Sequence, residues 1–338
     1  MLLKRTVLVL AAGASAPYGF PTGQQLIKEI SLHFEEYAFA TGTRDAVEIR
    51  RRMAANEFVR SLQLSDPSSI DVFLEHNPPM SEFGKEAIAS VLLRIEQEEA
   101  LFDWNEERRK DHWYQYLWDR LSADGADNFG KAPLKIVTFN YDRSLEHYLF
   151  VVIRNMFHMG PEAAGQVLKR LPITHVHGQL GRLPWQDGQD PPVPYGPDAA
   201  HPLGETIANA TKGIRIISDD ISMGVALRQA QEYLRDAQVI AFLGFGYLPL
   251  NLERLFKRIE YRADTITITG TCSGFTEAER QQKTRHISQL VGRMSTGWQY
   301  VPQGPSSVPN LGSGFVDVHL RDQRNLQFLR DSPYLFRD

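Results

Sequence analysis

What most constrains the fold is the way apolar, β-branched runs alternate with helical periodicity along the chain. The first run, residues 6–12 (TVLVLAA), is a continuous apolar, β-branched stretch, the pattern of a strand covered on both faces. Others occur at residues 134–139 (LKIVTF), 173–176, 239–243 (VIAFL) and 265–269 (TITIT), with a further short run at 213–217. Amphipathic stretches at 142–156, 251–259 and 277–291 lie behind three of them. This alternation predicts an α/β fold, a Rossmann-like parallel sheet with helices on both faces.

One interval departs from the alternation. Residues 13–133 carry no strand-like run, whereas a crossover needs only about a dozen residues. Gly13, Gly19 and Pro21 punctuate the turn after the first run, and Thr22 with Gln25 three residues on fits a capping box. Beyond it, apolar residues recur at three- and four-residue steps over 26–37, 88–102 and 113–121. The expected organisation is a Rossmann-like domain from residues 1–30 and 131–300, with a large all-helical insertion at 31–130 and a C-terminal extension at 301–338. Two stretches look irregular. Residues 181–201 hold Pro184, Pro191, Pro192, Pro194 and Pro197, and residues 301–314 are rich in Pro, Ser and Gly. Such loops read as lids, disordered segments or partner contacts.

Composition excludes several classes. The formal charge of −4 gives no global attraction for nucleic acid or an anionic membrane. The basic clusters at 50–52 and 108–110 sit among acidic residues and read as solvated helix faces. A single cysteine, Cys272, rules out a disulfide framework within the chain and any zinc site of several cysteines. The N-terminal apolar run is too short to span a bilayer, and nothing later approaches that length, so a cytoplasmic location is expected.

Ligands of open parallel sheets bind beyond the carboxyl ends of the strands, so the residues just past each run carry information about function. After the first come Ala11, Ala12, Gly13, Ala14 and Ser15, small enough to let backbone N–H groups approach a phosphate. After the second come Asn140, Tyr141 and Asp142; after the third, His175, His177 and Gly178; after the fourth, Gly244, Phe245 and Gly246. Polar or glycine-rich clusters behind four runs in turn point to a nucleotide site. Each residue also has a plainer reading. Asp142 suits a helix cap, His177 could be a structural histidine, and Tyr141 and Phe245 suit core or pocket wall. His175, two residues before His177, should point to the other face as a structural residue. Ser69 and Asp71 fit a helix start.

The order Ala-Ala-Gly-Ala-Ser, Phe20-Pro21-Thr22, Thr-Phe-Asn-Tyr-Asp, His-Gly-Gln-Leu and Gly-Phe-Gly resembles the bacterial sirtuin-like family, many of whose members deplete NAD in anti-phage defence. Residues 69–74 (SIDVFL) are similar to a further family element. The resemblance implies NAD lying across the strand ends. It places Asn140 at the ribose and its attacking water, His177 as catalytic base, and Asp142 at the nicotinamide amide. It assigns Ala12, Gly13, Ala14 and Ser15 to the phosphates, and Phe20, Pro21 and Thr22 to closure over ribose and nicotinamide. Gly244 and Gly246 would face the adenosine side, and Thr271 the adenine.

Two departures matter. Ala11 stands where the family's first loop usually begins with glycine, and the four-cysteine zinc ribbon of protein-deacetylating sirtuins has no counterpart here. The expected activity is therefore metal-free hydrolysis of NAD to nicotinamide and ADP-ribose. The alternative is a non-catalytic module that binds NAD or ADP-ribose and acts through assembly. Either reading invites a homo-oligomer or a partner such as a HerA-like ATPase, since no P-loop signature occurs in this chain. The choice between NAD and NADP stays open.

Overall fold

A computed structural model describes residues 4–38, 46–196, 203–216, 220–257, 259–263, 265–294, 299–300, 315–332 and 335. Among them, seven strands form one sheet: β1 (Thr6–Leu10), β2 (Leu134–Thr138), β3 (Ile173–His175), β4 (Val239–Leu243), β5 (Thr265–Thr271), β6 (Gln299–Tyr300) and β7 (Phe315–Arg321). Their order is β3-β2-β1-β4-β5-β7-β6, and every pairing is parallel. The chain builds outward from β1 to β3, then crosses to β4 and builds the other way. The switch point is the gap between β1 and β4, where open α/β sheets bind ligands. Leu10 pairs in register with both Thr138 and Leu243, so three of the strand-end loops leave the sheet at one level.

The apolar runs make strands because both faces are covered. Leu8 and Leu10 turn into one buried cluster, and Val7 and Val9 into another. The first cluster gathers α2 (Gly23–Ala38), α3 (Ala46–Ser65), α4 (Ile70–His76), α5 (Ser81–Ile95), α8 (Trp113–Ser122) and α9 (Ser144–Met156). The short helices α1 (Ala12–Ser15), α6 (Glu98–Leu101) and α7 (Glu106–Arg109) punctuate that series, and α10 (Pro161–Leu168) and α11 (Leu203–Gly213) join the same cluster. On the other face lie α12 (Asp220–Asp236), α13 (Pro249–Phe256) and α14 (Glu277–Met294). The fold is thus the expected α/β, Rossmann-like one. Between β1 and β2 the described residues form helices and no strand. Those helices share a continuous core with the sheet, and α2 runs across the boundary expected at residue 30.

Several elements go beyond the sequence expectations. β7 lies between β5 and β6, inside the stretch expected as an extension, and α15 (Asn325–Arg330) comes after it. The short run at 213–217 supplies only an isolated antiparallel bridge between Gly178 and Ile214, with residue 217 outside the described residues. The described part of the Pro-rich stretch is no loose lid. Trp185 stacks on Phe150 and Tyr195 on His147, while the buried Arg143 donates to the carbonyls of Val193 and Pro194. Residues 197–201 and 301–314, which read as irregular in the sequence, lie outside the described residues. Among the described residues no helix is long and apolar enough to cross a membrane.

Candidate functional site

Beyond the carboxyl ends of β1, β2, β4 and β5 opens a cavity of about 880 Å³, a size suited to a small-molecule ligand. Its floor is set by contact between two backbone turns. Gly13 N–H donates to the Gly244 carbonyl at 3.0 Å, and Ala11 N–H to the Leu243 carbonyl at 3.1 Å. A Cβ on Gly13 would stand 2.8 Å from Gly244 Cα, and one on Gly244 only 2.0 Å from the Ala14 nitrogen. Gly244 N–H is in turn held by Thr271 Oγ1 at 2.8 Å, which ties β5 to the same floor.

The structure separates the residues of the expected phosphate loop. The chain enters α1 directly after Ala11, so Ala14 and Ser15 turn away and do not line the cavity. Ala14 N–H bonds to the Ala11 carbonyl, and the Ala14 carbonyl accepts from Trp113 Nε1 at 2.8 Å. Ala12 and Gly13 do line the cavity, and Ala12 holds the first helical position, whose N–H a helix leaves unbonded. Phe20, Pro21 and Thr22 line the cavity as well, and Thr22 donates its N–H and hydroxyl to Gln25 Oε1. Gly246 and Thr271 also face it, and nothing lies within 4 Å of a Cβ built on Gly246.

Asn140, Asp142 and His177 line one cavity. Asn140 Nδ2 donates to the Ala11 carbonyl at 3.1 Å and to Ser15 Oγ at 2.9 Å. Both amide hydrogens are thereby used, which fixes the orientation of the group and leaves Oδ1 as its acceptor. Ser15 is therefore a supporting residue beneath the site. Asp142 is buried, and its Oδ1 accepts from Ser144 N–H at 3.1 Å and from the Ser144 hydroxyl. Burial pushes its carboxyl above the ordinary range, against the hydrogen bonds from Ser144 and Ser15. Arg143 is the N-cap of α9 and makes no side-chain cap, and Asp142, one residue before it, bonds to Ser144 N–H and faces the cavity.

His177 is buried, its ring against Phe139 and Tyr141. Gly178 after it has φ +70°, and a Cβ there would meet the Gly213 carbonyl at 2.1 Å, so only glycine allows the turn. His175 behaves as the structural residue expected: Nδ1 bonds to the Asn140 carbonyl at 2.9 Å and Nε2 to Glu146 at 2.5 Å. Cys272 also lines the cavity, but burial pushes its thiol up to about 11, so it stays protonated at neutral pH and is a poor nucleophile.

Other cavity residues do not emerge from the sequence as site residues. Asp71, which reads as part of a helix start, lies within 3.6 Å of His177 Nδ1, while Ser69 alone does the capping by accepting from Val72 N–H. From the far end of the chain come Arg324 and Asn325. Asn325 Nδ2 donates to the Gly13 carbonyl at 3.0 Å, and Leu326 N–H to Asp111 at 2.7 Å. The alternating run FVDVHL at 315–320 is the sequence signal for the strand that delivers them. Arg324 is the one Lys or Arg among the described residues lining the cavity. Among the described residues no cluster of His, Cys, Asp and Glu is arranged to hold a metal ion. No protein-family model matches this chain, and no curated protein matches it either.

Proposed function

We propose that this chain hydrolyses NAD at the nicotinamide–ribose bond, giving nicotinamide and ADP-ribose. The observation that carries the reading is the placement of a fixed amide, Asn140, and a buried imidazole, His177, in one cavity at the switch point of a parallel sheet. Breaking the bond sends its electron pair to the pyridinium nitrogen, and nicotinamide leaves neutral. C1′ gains oxocarbenium character and is trapped by a water oxygen. The water proton goes to His177 and then to solvent, so one proton is released per NAD. Asn140 Oδ1 orients ribose hydroxyl or water without bringing a charge to the cation. Asp142, held by Ser144, is the residue for the carboxamide of the leaving group. Arg324 is the cation available to the diphosphate. Proximity and exclusion of bulk water supply the rest.

The resemblance to defence proteins leads us to place this activity under the control of assembly, with further copies of the chain or with a partner ATPase. The test is direct. Purified protein, alone and with its co-purifying partners, is incubated with NAD and the products are separated by chromatography. Nicotinamide and ADP-ribose should appear in equal amounts, and Asn140→Ala or His177→Ala should cut the rate at least about a hundredfold while NAD still binds. Tight binding with no nicotinamide release under any of these conditions would leave a binding module and sink the hydrolase reading.

A further inference from the structure

One nitrogen in the cavity is buried without a partner. His177 is 2% exposed, and among the described residues its Nδ1 has no hydrogen-bond partner. The polar atom facing it is Asp71 Oδ1 at 3.6 Å, just outside hydrogen-bond reach. The same oxygen accepts from the Tyr141 hydroxyl. Burial, and next the charge of Asp71, hold that phenol far above its ordinary range, so it remains a donor. The neighbouring rings of Phe139 and Tyr141 offer His177 no acceptor, with centroids at 5.6 and 5.9 Å.

Asp71 is brought here by α4, a helix that lies between β1 and β2 in sequence. Ser69 starts the helix, and Glu75, one turn after Asp71, takes two hydrogen bonds from Arg254 of α13 at 2.7 and 2.8 Å. α4 packs in the cluster of one sheet face and α13 in that of the other, so this pair fixes α4 from across the sheet. The charged groups nearby are otherwise occupied. Arg254 is neutralised by Glu75, and Arg215, beside Gly178, directs its guanidinium to the carbonyls of Lys212 and Ile214. Among the described residues, Asp71 is the charged side chain that lies within 4 Å of the imidazole.

We propose that Asp71 is a positioning residue for His177, holding the imidazole with its proton on Nδ1 so that Nε2 is the basic nitrogen offered to the substrate. A neutral imidazole carries one proton, and the protein supplies an acceptor on the Nδ1 side. A shift of roughly 0.6 Å brings the pair to hydrogen-bond distance. As Nε2 takes the proton of the attacking water, the ring becomes a cation and Asp71 stands opposite its charge. This role rests on His177 acting as the proton acceptor in NAD hydrolysis.

The tautomer can be read without any turnover. Full-length protein labelled with ¹⁵N-histidine, free of NAD, reports Nδ1 and Nε2 of His177 separately by their chemical shifts and proton couplings. The wild type and Tyr141→Phe should show the proton on Nδ1, Asp71→Ala should move the population toward the Nε2–H form, and Asp71→Glu should restore it. An Nε2–H ring in the wild type, or an unchanged ring in Asp71→Ala, overturns the assignment whether or not NAD is cleaved. In the hydrolysis assay Asp71→Ala should lower kcat at least about tenfold with KM within about twofold, and Asp71→Glu should recover part of the loss. A loss confined to KM would place Asp71 in substrate binding and overturn the proposal equally. Absence of cleavage by the wild type would count against the hydrolase reading alone, because the tautomer result stands without it.

Discussion

Gly13 and Gly244 lie back to back at the floor of the cavity, and their lack of side chains is what lets the β1 and β4 turns touch. Gly244 has φ +60°, in the region where an L side chain is strained, and its Cβ would fall on the Ala14 nitrogen at 2.0 Å. Gly13 is limited by space alone, with backbone atoms of Gly244 at 2.8 Å. Gly246, also at the cavity, has open space where a Cβ would go. Three alanine substitutions should therefore separate. Gly244→Ala should destabilise most, by more than about 2 kcal/mol, and Gly13→Ala somewhat less. Gly246→Ala should leave the unfolding midpoint in denaturant within the range of a neutral surface change and act, if at all, on KM. Equal midpoints for all three would mean that the two turns do not pack as described. The family resemblance draws attention to the same glycines as ligand contacts; Gly13 and Gly244 have a sufficient reason in the fold itself.

At the scale of elements, what is legible in the sequence depends on how local each signal is. β1 and β4 are plain because strands buried on both faces are apolar along nearly their whole length, Thr6 at the start of β1 excepted. The loops carrying Asn140, His177 and Gly244 are legible because parallel topology sends every strand end to one edge. β7 is hard to see although FVDVHL alternates, since the glycine- and proline-rich stretch before it suggests that the domain has ended. The approach of Asp71 to His177 and of Asn325 to Gly13 spans 106 and 312 positions, and no local pattern encodes such meetings. The Pro-rich stretch looks irregular in sequence because its anchor lies elsewhere. Arg143 and Glu96 are both fully buried, Arg143 Nε donates to Glu96 Oε1 at 3.0 Å, and Arg143 Nη1 to the Val193 carbonyl at 2.6 Å. Burial holds the Glu96 carboxyl above its ordinary range, with the Arg143 charge pulling against it. Removing one partner strands the other, so Glu96→Ala or Arg143→Ala should each cost about 3–5 kcal/mol. A double substitution to apolar residues of similar volume should cost less than either single change, while the stretch ending near Gly196 should become protease-sensitive wherever Arg143 and its bonds to the Val193 and Pro194 carbonyls are removed. Resistance in Arg143→Ala would show that Trp185 and Tyr195 suffice to hold it.

Across the whole molecule, the cavity draws on residues from Ala11 to Asn325, and a buried ion pair beneath it links its geometry to pH. His175, at the end of β3, bonds through Nε2 to Glu146 of α9 and through Nδ1 to the carbonyl of Asn140. Burial opposes its protonation, but the Glu146 charge and the two hydrogen bonds outweigh that and leave its pKa raised. A histidine that binds its proton more tightly folded than unfolded contributes fully below its unfolded value of about 6.5. The contribution then disappears as pH climbs through the raised folded value. His112 and His147 go the other way, since burial lowers both, so each removes stability as pH falls below about 6.5. The opposing contributions mask one another in the wild-type curve and separate in a difference. The gap in unfolding free energy between wild type and His175→Gln should be fully open just below the unfolded value of about 6.5 and should narrow as pH rises through the raised folded value. Because His175 also holds the Asn140 backbone, hydrolysis by the wild type should weaken over the same interval, whereas the variant should be slow throughout. A gap that widens with rising pH would mean that His175 is buried neutral, with the ring held by the Asn140 carbonyl and not by the charge of Glu146.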